Sequence, residues 1–123
     1  MEDFILREID KIGEMLAHIA RRLGLLKGEK PDYSLGDVKT EFTKENCPID
    51  IDTVLKQENT ILYLAENEKL TEQALESFIE ILFYSDIDET KKQTLLKDAI
   101  NYLDNKGYIS FKLHSFVTTK ENK

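Results

Sequence analysis

The sequence predicts an all-α protein in which a long amphipathic N-terminal helix packs on antiparallel helical hairpins. Apolar residues recur every three or four positions, helix-capping residues precede the apolar runs, and glycine and proline are rare, with five and two among 123 residues. We expect one helical domain, 1–123. It comprises an N-terminal helix (1–27), short helices and loops (28–70), and a helical hairpin plus C-terminal helix (71–118).

Charge and cysteine content limit the functions that the chain can serve. The net charge is −7, and residues 1–27 are balanced, with five basic and five acidic residues, so the excess lies in the rest. Such an acidic body repels phosphate backbones and anionic lipids, so we expect neither a nucleic-acid nor a membrane partner. The lone Cys47 forms no internal disulfide, the start MEDFILREID lacks signal-peptide features, and no apolar segment approaches about 18 residues. These features predict a cytoplasmic protein.

The first helix is predicted from about Asp3 to Leu26 and carries two regular rows of residues. The apolar row, spaced by four and three, is Ile5, Ile9, Ile12, Leu16, Ile19, Leu23 and Leu26. The small row, about 100° round the helix, is Gly13, Ala17, Ala20 and Gly24. Small residues allow another backbone to approach closely. We expect most of the apolar row to pack on residues 74–83 and 95–103, and take Ile5 to Leu23 of that row as a candidate seam for a partner or a homodimer.

The middle of the chain predicts shorter elements. Gly28 and Pro31 should end the first helix. Leu35, Val38 and Phe42 have helical spacing, which Gly36 weakens. After Pro48, we expect a short helix containing Val54 and Leu55, capped by Asp50 or Asp52, and then a helical turn capped by Asn59 with three inward residues, Ile61, Leu62 and Ala65.

The strongest downstream helices form the predicted hairpin. Thr71 should cap a helix whose apolar face is Ala74, Leu75, Phe78, Ile79, Leu82 and Phe83. Ser85, Asp86 and Asp88 should form the break and cap the next helix, Glu89 to Asn105, which Gly107 closes. Its buried face is Leu95, Leu96, Ala99, Ile100 and Leu103. The tail from Tyr108 alternates like a strand, but a lone strand has no partner, so we predict a helix capped by Ser110 with Phe111, Leu113 and Phe116 on roughly one side.

One segment resembles a catalytic motif. Asp86, Asp88 and Thr90 follow an apolar run and give the D-x-D-x-T pattern of haloacid-dehalogenase-type phosphotransferases. That resemblance implies a nucleophilic Asp86, an acid/base Asp88 and Mg²⁺. Members of that family have a β-strand before this loop, whereas the apolar residues of 74–83 recur with the spacing of an α-helix. The favoured interpretation is helix capping, where acidic residues also suit the helix dipole.

The histidines, the cysteine and the remaining motifs give weaker evidence for a catalytic or metal-binding site. His18 lies one turn from Glu14 and Arg22, a spacing that suits a surface ion-pair ladder on the outer face of the helix. His114 is far away in sequence, so we expect no metal. The acidic neighbours of Cys47 should raise its thiol pKa. Phosphate-binding loops, C-x-x-C pairs and serine-hydrolase motifs do not occur, so no cofactor is predicted.

Three tyrosines stand beside apolar helix faces, namely Tyr63, Tyr84 and Tyr102. Tyrosine combines an apolar ring with a hydroxyl that favours water. These residues are therefore candidates for lining a groove between hairpins, although the edge of a core is the more frequent position for such side chains.

Four segments resemble a bacterial helical family of unknown function, often called tetratricopeptide-like. They are DFILREIDKI from Asp3, LGLL from Leu23, PIDIDTVL from Pro48 and LLKDAINYL from Leu95. The resemblance implies a helical-repeat fold and no particular site. We therefore predict a non-catalytic helical module for protein–protein interaction or scaffolding. The alternative is a small Mg²⁺-dependent phosphotransferase or ligand-binding protein using the Asp86/Asp88 loop.

Overall fold

The structure is a computed structural model that describes the backbone of residues 2–26 and 33–121 and the side chains of residues 11–24 and 33–117. Within these ranges the chain forms seven helices and no β-strand, so the predicted all-α class is confirmed. The helices are α1 (Glu2–Leu26), α2 (Leu35–Lys44), α3 (Ile51–Leu55), α4 (Thr60–Glu66), α5 (Glu72–Phe83), α6 (Glu89–Asn105) and α7 (Phe111–Glu121). The predicted stop at Gly28 and Pro31 lies outside the described residues.

Helix α5 is the centre of the core. Most of its residues are buried, including both Phe78 and the carboxylate-bearing Glu80. It packs most extensively on α1 and also contacts α4 and α6, while α6 contacts α4 and α7. A helix that is enclosed on nearly all sides needs apolar residues beyond a single stripe, and the sequence of α5 supplies them.

Helices α1 and α5 lie side by side and run in the same direction. A β-carbon added to Gly13 would lie 3.6 Å from the Ala74 Cβ, near the start of α5. One added to Gly24 would lie 3.3 Å from the Tyr84 hydroxyl oxygen, just after the end of α5. The small row of α1 therefore faces α5, as small residues at a close helix contact should.

The contact of α1 with α6 differs from our expectation. The main partner of α1 is α5, and α6 is not among its extensive contacts. Helix α5 itself contacts both α1 and α6. The prediction that the α1 seam also packs on residues 95–103 is therefore wrong as a main contact.

Helix starts follow the capping residues of the sequence. Thr71, Asp50, Asn59 and Asp88 each accept a hydrogen bond from a backbone N–H of the first turn of α5, α3, α4 and α6 respectively. Helix α2 forms despite Gly36 because Ser34 begins a reciprocal capping box. Gly107 has φ +81°, which confirms its predicted left-handed conformation.

Two predicted inward residues point outward. Leu62 is exposed because α4 buries Ile61 and Leu64 instead. Phe111 is 83% exposed, whereas Leu113 in the same helix is completely buried. Residues two apart on a helix lie about 200° apart, so Phe111 and Leu113 cannot share a face. The tail is a helix, as predicted, but its expected apolar side was wrong at Phe111.

Candidate interaction surface and polar cleft

The candidate seam of α1 divides into two parts. Leu16, Ile19 and Leu23 are buried in the core, and Ile12 is half-buried against it. The side chains of Ile5 and Ile9 lie outside the described residues. Part of the seam is therefore the inner face of α1, occupied by the protein's own core.

The Asp86/Asp88 segment holds helices together. The Asp88 carboxylate accepts from the Lys91 N–H at 3.2 Å, and the Asp86 Oδ1 accepts from the Leu35 N–H at 3.2 Å. Beside them, the Ser85 carbonyl accepts from the buried Lys92 ammonium at 2.8 Å. Asp88 caps α6 as predicted. Asp86 instead caps the distant start of α2, which the sequence did not reveal because the two segments are far apart along the chain.

Ser85 also departs from its predicted role. It is completely buried, and its hydroxyl donates to the Leu82 carbonyl at 2.6 Å, at the end of α5. Its backbone forms an isolated parallel bridge with Tyr33, next to a hydrogen bond from the Tyr33 N–H to the Tyr84 carbonyl at 3.0 Å. The segment from 84 to 88 thus ties the start of α2 to the α5–α6 connection.

Polar side-chain contacts join the outer face of α1 to the C-terminal end of α2. His18 Nδ1 lies 2.9 Å from a carboxylate oxygen of Glu45, and the Arg22 guanidinium lies 3.2 Å from Glu41. Sequence spacing suggested partners within α1, at Glu14, because only neighbours along the chain are visible there. The structure shows that His18 and Arg22 connect two helices.

The lone cysteine shows no sign of activation. Cys47 is half-buried, and its pKa is raised, first by burial and then by the nearby Glu68 and Glu45 carboxylates. A raised pKa lowers the thiolate fraction, and the thiolate is the nucleophile. Across the described residues, no group of three or more His, Cys, Asp or Glu side chains is arranged to hold a metal ion.

The three candidate groove tyrosines have different surroundings. The Tyr84 hydroxyl donates to Glu80 at 2.8 Å, and its ring lies beside Phe116 of α7 and opposite Gly24 of α1. Tyr102 borders a shallow depression between α4 and α6, whose lining includes neither Tyr63 nor Tyr84. Tyr63 lies on α4 and packs partly against the core. The depression therefore does not bring the three side chains together.

An inverted pattern of side chains marks the connection from α6 to α7. Tyr108 and Ser110 face inward, and both hydroxyls donate to the Glu76 carboxylate of α5, Tyr108 at 2.7 Å. The alternate residues Ile109 and Phe111 face outward and are 55% and 83% exposed. We call residues 108–111 the corner. Its polar side chains are anchored and its apolar ones face solvent, the reverse of the usual arrangement.

The corner was missed at the level of sequence, although a signal was present. The near-alternation that suggested a strand is real for residues 108–110, which precede the helix. The anchor also affects the chemistry of Tyr108. Burial and the hydrogen bond to Glu76 raise the pKa of Tyr108 to about 12, because both favour the neutral phenol.

A polar cleft of about 240 Å³ opens between α1, α5 and α7. Its polar lining is Arg21 from α1, Gln73, Glu76, Ser77 and Glu80 from α5, and Lys112 from α7. Glu80 is only 6% exposed, and its Oε2 lies 3.3 Å from the Lys112 ammonium. Burial and the hydrogen bond to Glu80 together raise the pKa of Tyr84. The signal for this cleft was the pair Glu76 and Glu80, spaced one turn apart among the apolar residues of α5.

Comparison of the chain with protein families, curated proteins and solved structures finds no match. None of the described helices combines the length and apolar character needed to cross a bilayer.

Proposed function

We propose that this protein is a non-catalytic helical interaction module and that the corner is its contact surface. The observation that carries the proposal is the outward orientation of Ile109 and Phe111, which leaves two large apolar side chains in water. Full burial of such a side chain contributes about 1.5–3 kcal/mol. Burial of both side chains by a partner would therefore contribute a substantial part of the binding free energy of a specific complex.

The anchoring of the corner supports a role in binding. Tyr108 and Ser110 fix the backbone on either side of Ile109 through Glu76. Ser110 also accepts from the Leu113 N–H at 3.1 Å and so begins α7. A surface whose backbone is already ordered loses less conformational entropy when it binds.

The partner that we propose is a second copy of this chain. The protein carries a net charge of −7, so most approaches between two copies are repulsive. Residues 105–115 contain Lys106 and Lys112 and no acidic residue. Contact through the corner therefore keeps the acidic side chains that carry the excess charge away from the centre of the interface.

The first part of α1 is the second candidate contact. Since Gly13 is level with Ala74 and the helices run in parallel, the backbone of residues 2–10 extends beyond the start of α5. The sequence continues the apolar row there with Ile5 and Ile9, and residues 1–27 carry no net charge. A repeat of this spacing is typical of helix pairing.

The tetratricopeptide-like arrangement and the scaffolding role are part of the same proposal. Support comes from the packing of neighbouring helices along the chain, α3 on α4, α5 on α6 and α6 on α7. A phosphotransferase role is not favoured, because the Asp86 and Asp88 carboxylates each accept a backbone N–H.

Light scattering after size-exclusion chromatography, over a range of protein concentrations, tests the proposal. We expect a concentration-dependent dimer for the wild type and a folded monomer for the double variant Ile109→Ser, Phe111→Ser. The matched control is Leu62→Ser, which removes another exposed apolar side chain and should leave the dimer intact.

Two results would overturn the corner as the contact surface. One is a wild-type protein that stays monomeric at every concentration. The other is a dimer that survives the double corner variant but dissociates in Ile5→Glu, Ile9→Glu, which would move the contact to α1. Circular dichroism of each variant shows whether the helical fold is retained.

A further inference from the structure

The polar cleft between α1, α5 and α7 contains a hydroxyl with no hydrogen-bond partner among the described residues. Ser77 is 8% exposed and lines the cleft, and no group in the described part of the chain forms a hydrogen bond with its hydroxyl. A hydroxyl that borders a cavity and has no protein partner is open to a ligand or to water. Ser77 plays no part in the corner or in its anchor.

Glu80 offers a second open position beside it. Its Oε2 accepts from the Tyr84 hydroxyl and the Lys112 ammonium, whereas its Oε1 accepts no hydrogen bond from the residues that the structure describes. A carboxylate buried to this extent holds a donor strongly, because little water competes for it. The open oxygen therefore suits a ligand that carries N–H donors.

The cleft has two cationic and two anionic side chains, and one pair of them, Lys112 and Glu80, is in contact at 3.3 Å. Glu76 and Glu80 lie on α5, while Arg21 comes from α1 and Lys112 from α7. A ligand with only a positive charge is repelled by the two cationic side chains, and one with only a negative charge is repelled by the two carboxylates. A small molecule with one charge of each sign is complementary to both groups.

The size of the cleft and its apolar lining restrict the class of ligand further. Its volume of about 240 Å³ lies below the roughly 300–1,000 Å³ of drug-sized sites. Ala17 and Ala20 line one side and leave space for a short apolar side chain.

We propose that this cleft binds a small free α-amino acid. The ammonium group donates to Glu80 Oε1 and to the Ser77 hydroxyl, and the carboxylate lies toward Arg21 and Lys112. The short side chain rests against Ala17 and Ala20. This ligand site is separate from the self-association proposed for the corner, and either can fail without the other.

The test uses three matched probes added to the full-length, isotope-labelled protein, with amide chemical shifts recorded by NMR. L-Alanine carries both charges, ethylamine only the positive one and propionate only the negative one. We expect saturable shifts at Ala20, Ser77 and Glu80 with millimolar L-alanine and much weaker ones with the other two probes. Equal responses to all three, or none to L-alanine, would overturn the proposal.

Variants separate binding from general effects on the fold. Glu80→Gln should weaken L-alanine binding about tenfold, and Ser77→Ala about threefold, because each removes one partner of the ammonium group. The matched control Asp98→Asn removes an exposed carboxylate outside the cleft and should bind like the wild type. Unchanged binding in both cleft variants, each with a well-dispersed spectrum, would contradict the assignment.

Discussion

The Tyr108 hydroxyl donates a hydrogen bond of 2.7 Å to the Glu76 carboxylate, which joins the end of the α6–α7 connection to the central helix. Ser110 donates to the other oxygen of the same carboxylate. One side chain of α5 therefore fixes the course of the chain over residues 108–110. The orientation of Ile109 toward solvent is a consequence of this anchor, because alternate residues of an extended segment face opposite ways. Phe111 begins α7 and faces outward because that helix buries Leu113, about 200° away.

Removal of the Tyr108 hydroxyl should destabilise the protein. We expect Tyr108→Phe to lower the free energy of unfolding by about 1–2 kcal/mol, because the Glu76 carboxylate loses a charge-assisted hydrogen bond. Urea unfolding followed by circular dichroism measures the change. Tyr102→Phe is the matched control, since its hydroxyl forms no hydrogen bond within the described residues, and should stay within about 0.5 kcal/mol of the wild type. Equal losses in both variants would contradict the anchor.

The same hydrogen bond should make stability depend on alkaline pH. The pKa of Tyr108 is about 12 in the folded protein and about 10 in an unfolded chain. Above pH 10 the unfolded state loses this proton first, so the unfolded state is favoured progressively. The contribution of Tyr108 is thus complete below pH 10 and lost as the pH rises through 12. Titration of tyrosinate absorbance should show a late-ionising group that is missing from Tyr108→Phe; an identical curve for the variant would refute the shift.

The sequence predicted the structural features that are determined by residues close together along the chain. The caps Thr71 and Asp88 and the left-handed Gly107 are local features, and the structure confirms them. The apolar period placed Leu16 and Leu103 inside for the same reason.

Features that depend on distant partners could not be predicted. Asp86 binds the backbone of Leu35, and His18 pairs with Glu45, because folding brings remote segments together. Local patterns contain no information on those distances. The corner was partly visible as an alternation, but the buried partner that reverses its orientation, Glu76, belongs to another helix.

The two glycines of the small row should respond differently to a methyl group. A β-carbon on Gly13 would make an ordinary contact of 3.6 Å with Ala74, whereas one on Gly24 would lie at a tight 3.3 Å from Tyr84. We expect Gly13→Ala to stabilise the protein by about 0.5–1 kcal/mol through better helix propensity. Gly24→Ala should gain less, because Tyr84 must shift. Thermal unfolding compares the two, and a greater gain at Gly24 would contradict the close approach of Tyr84.

The Asp86/Asp88 segment should contribute to stability and not to turnover. Asp88→Ala removes the cap of α6 and should cost about 1 kcal/mol. Asp86→Ala frees the Leu35 N–H and should cost a similar amount by loosening the start of α2. Urea unfolding measures both. We also expect no Mg²⁺-dependent phosphatase activity in the wild type; activity that disappears in Asp86→Asn would instead support the phosphotransferase alternative.

Truncation of a buried apolar side chain should lower the free energy of unfolding far more than truncation of an exposed one. Leu16 is completely buried between α1 and the core, so Leu16→Ala should cost about 2–5 kcal/mol, and Leu16→Glu should prevent folding because it buries an unpaired charge. Phe111 is exposed, so Phe111→Ala should change the stability of the monomer by less than about 0.5 kcal/mol. Urea unfolding at low protein concentration separates this stability from self-association. A loss at Phe111 comparable to that at Leu16 would mean that Phe111 packs within its own chain, and the corner could not then be a free contact surface.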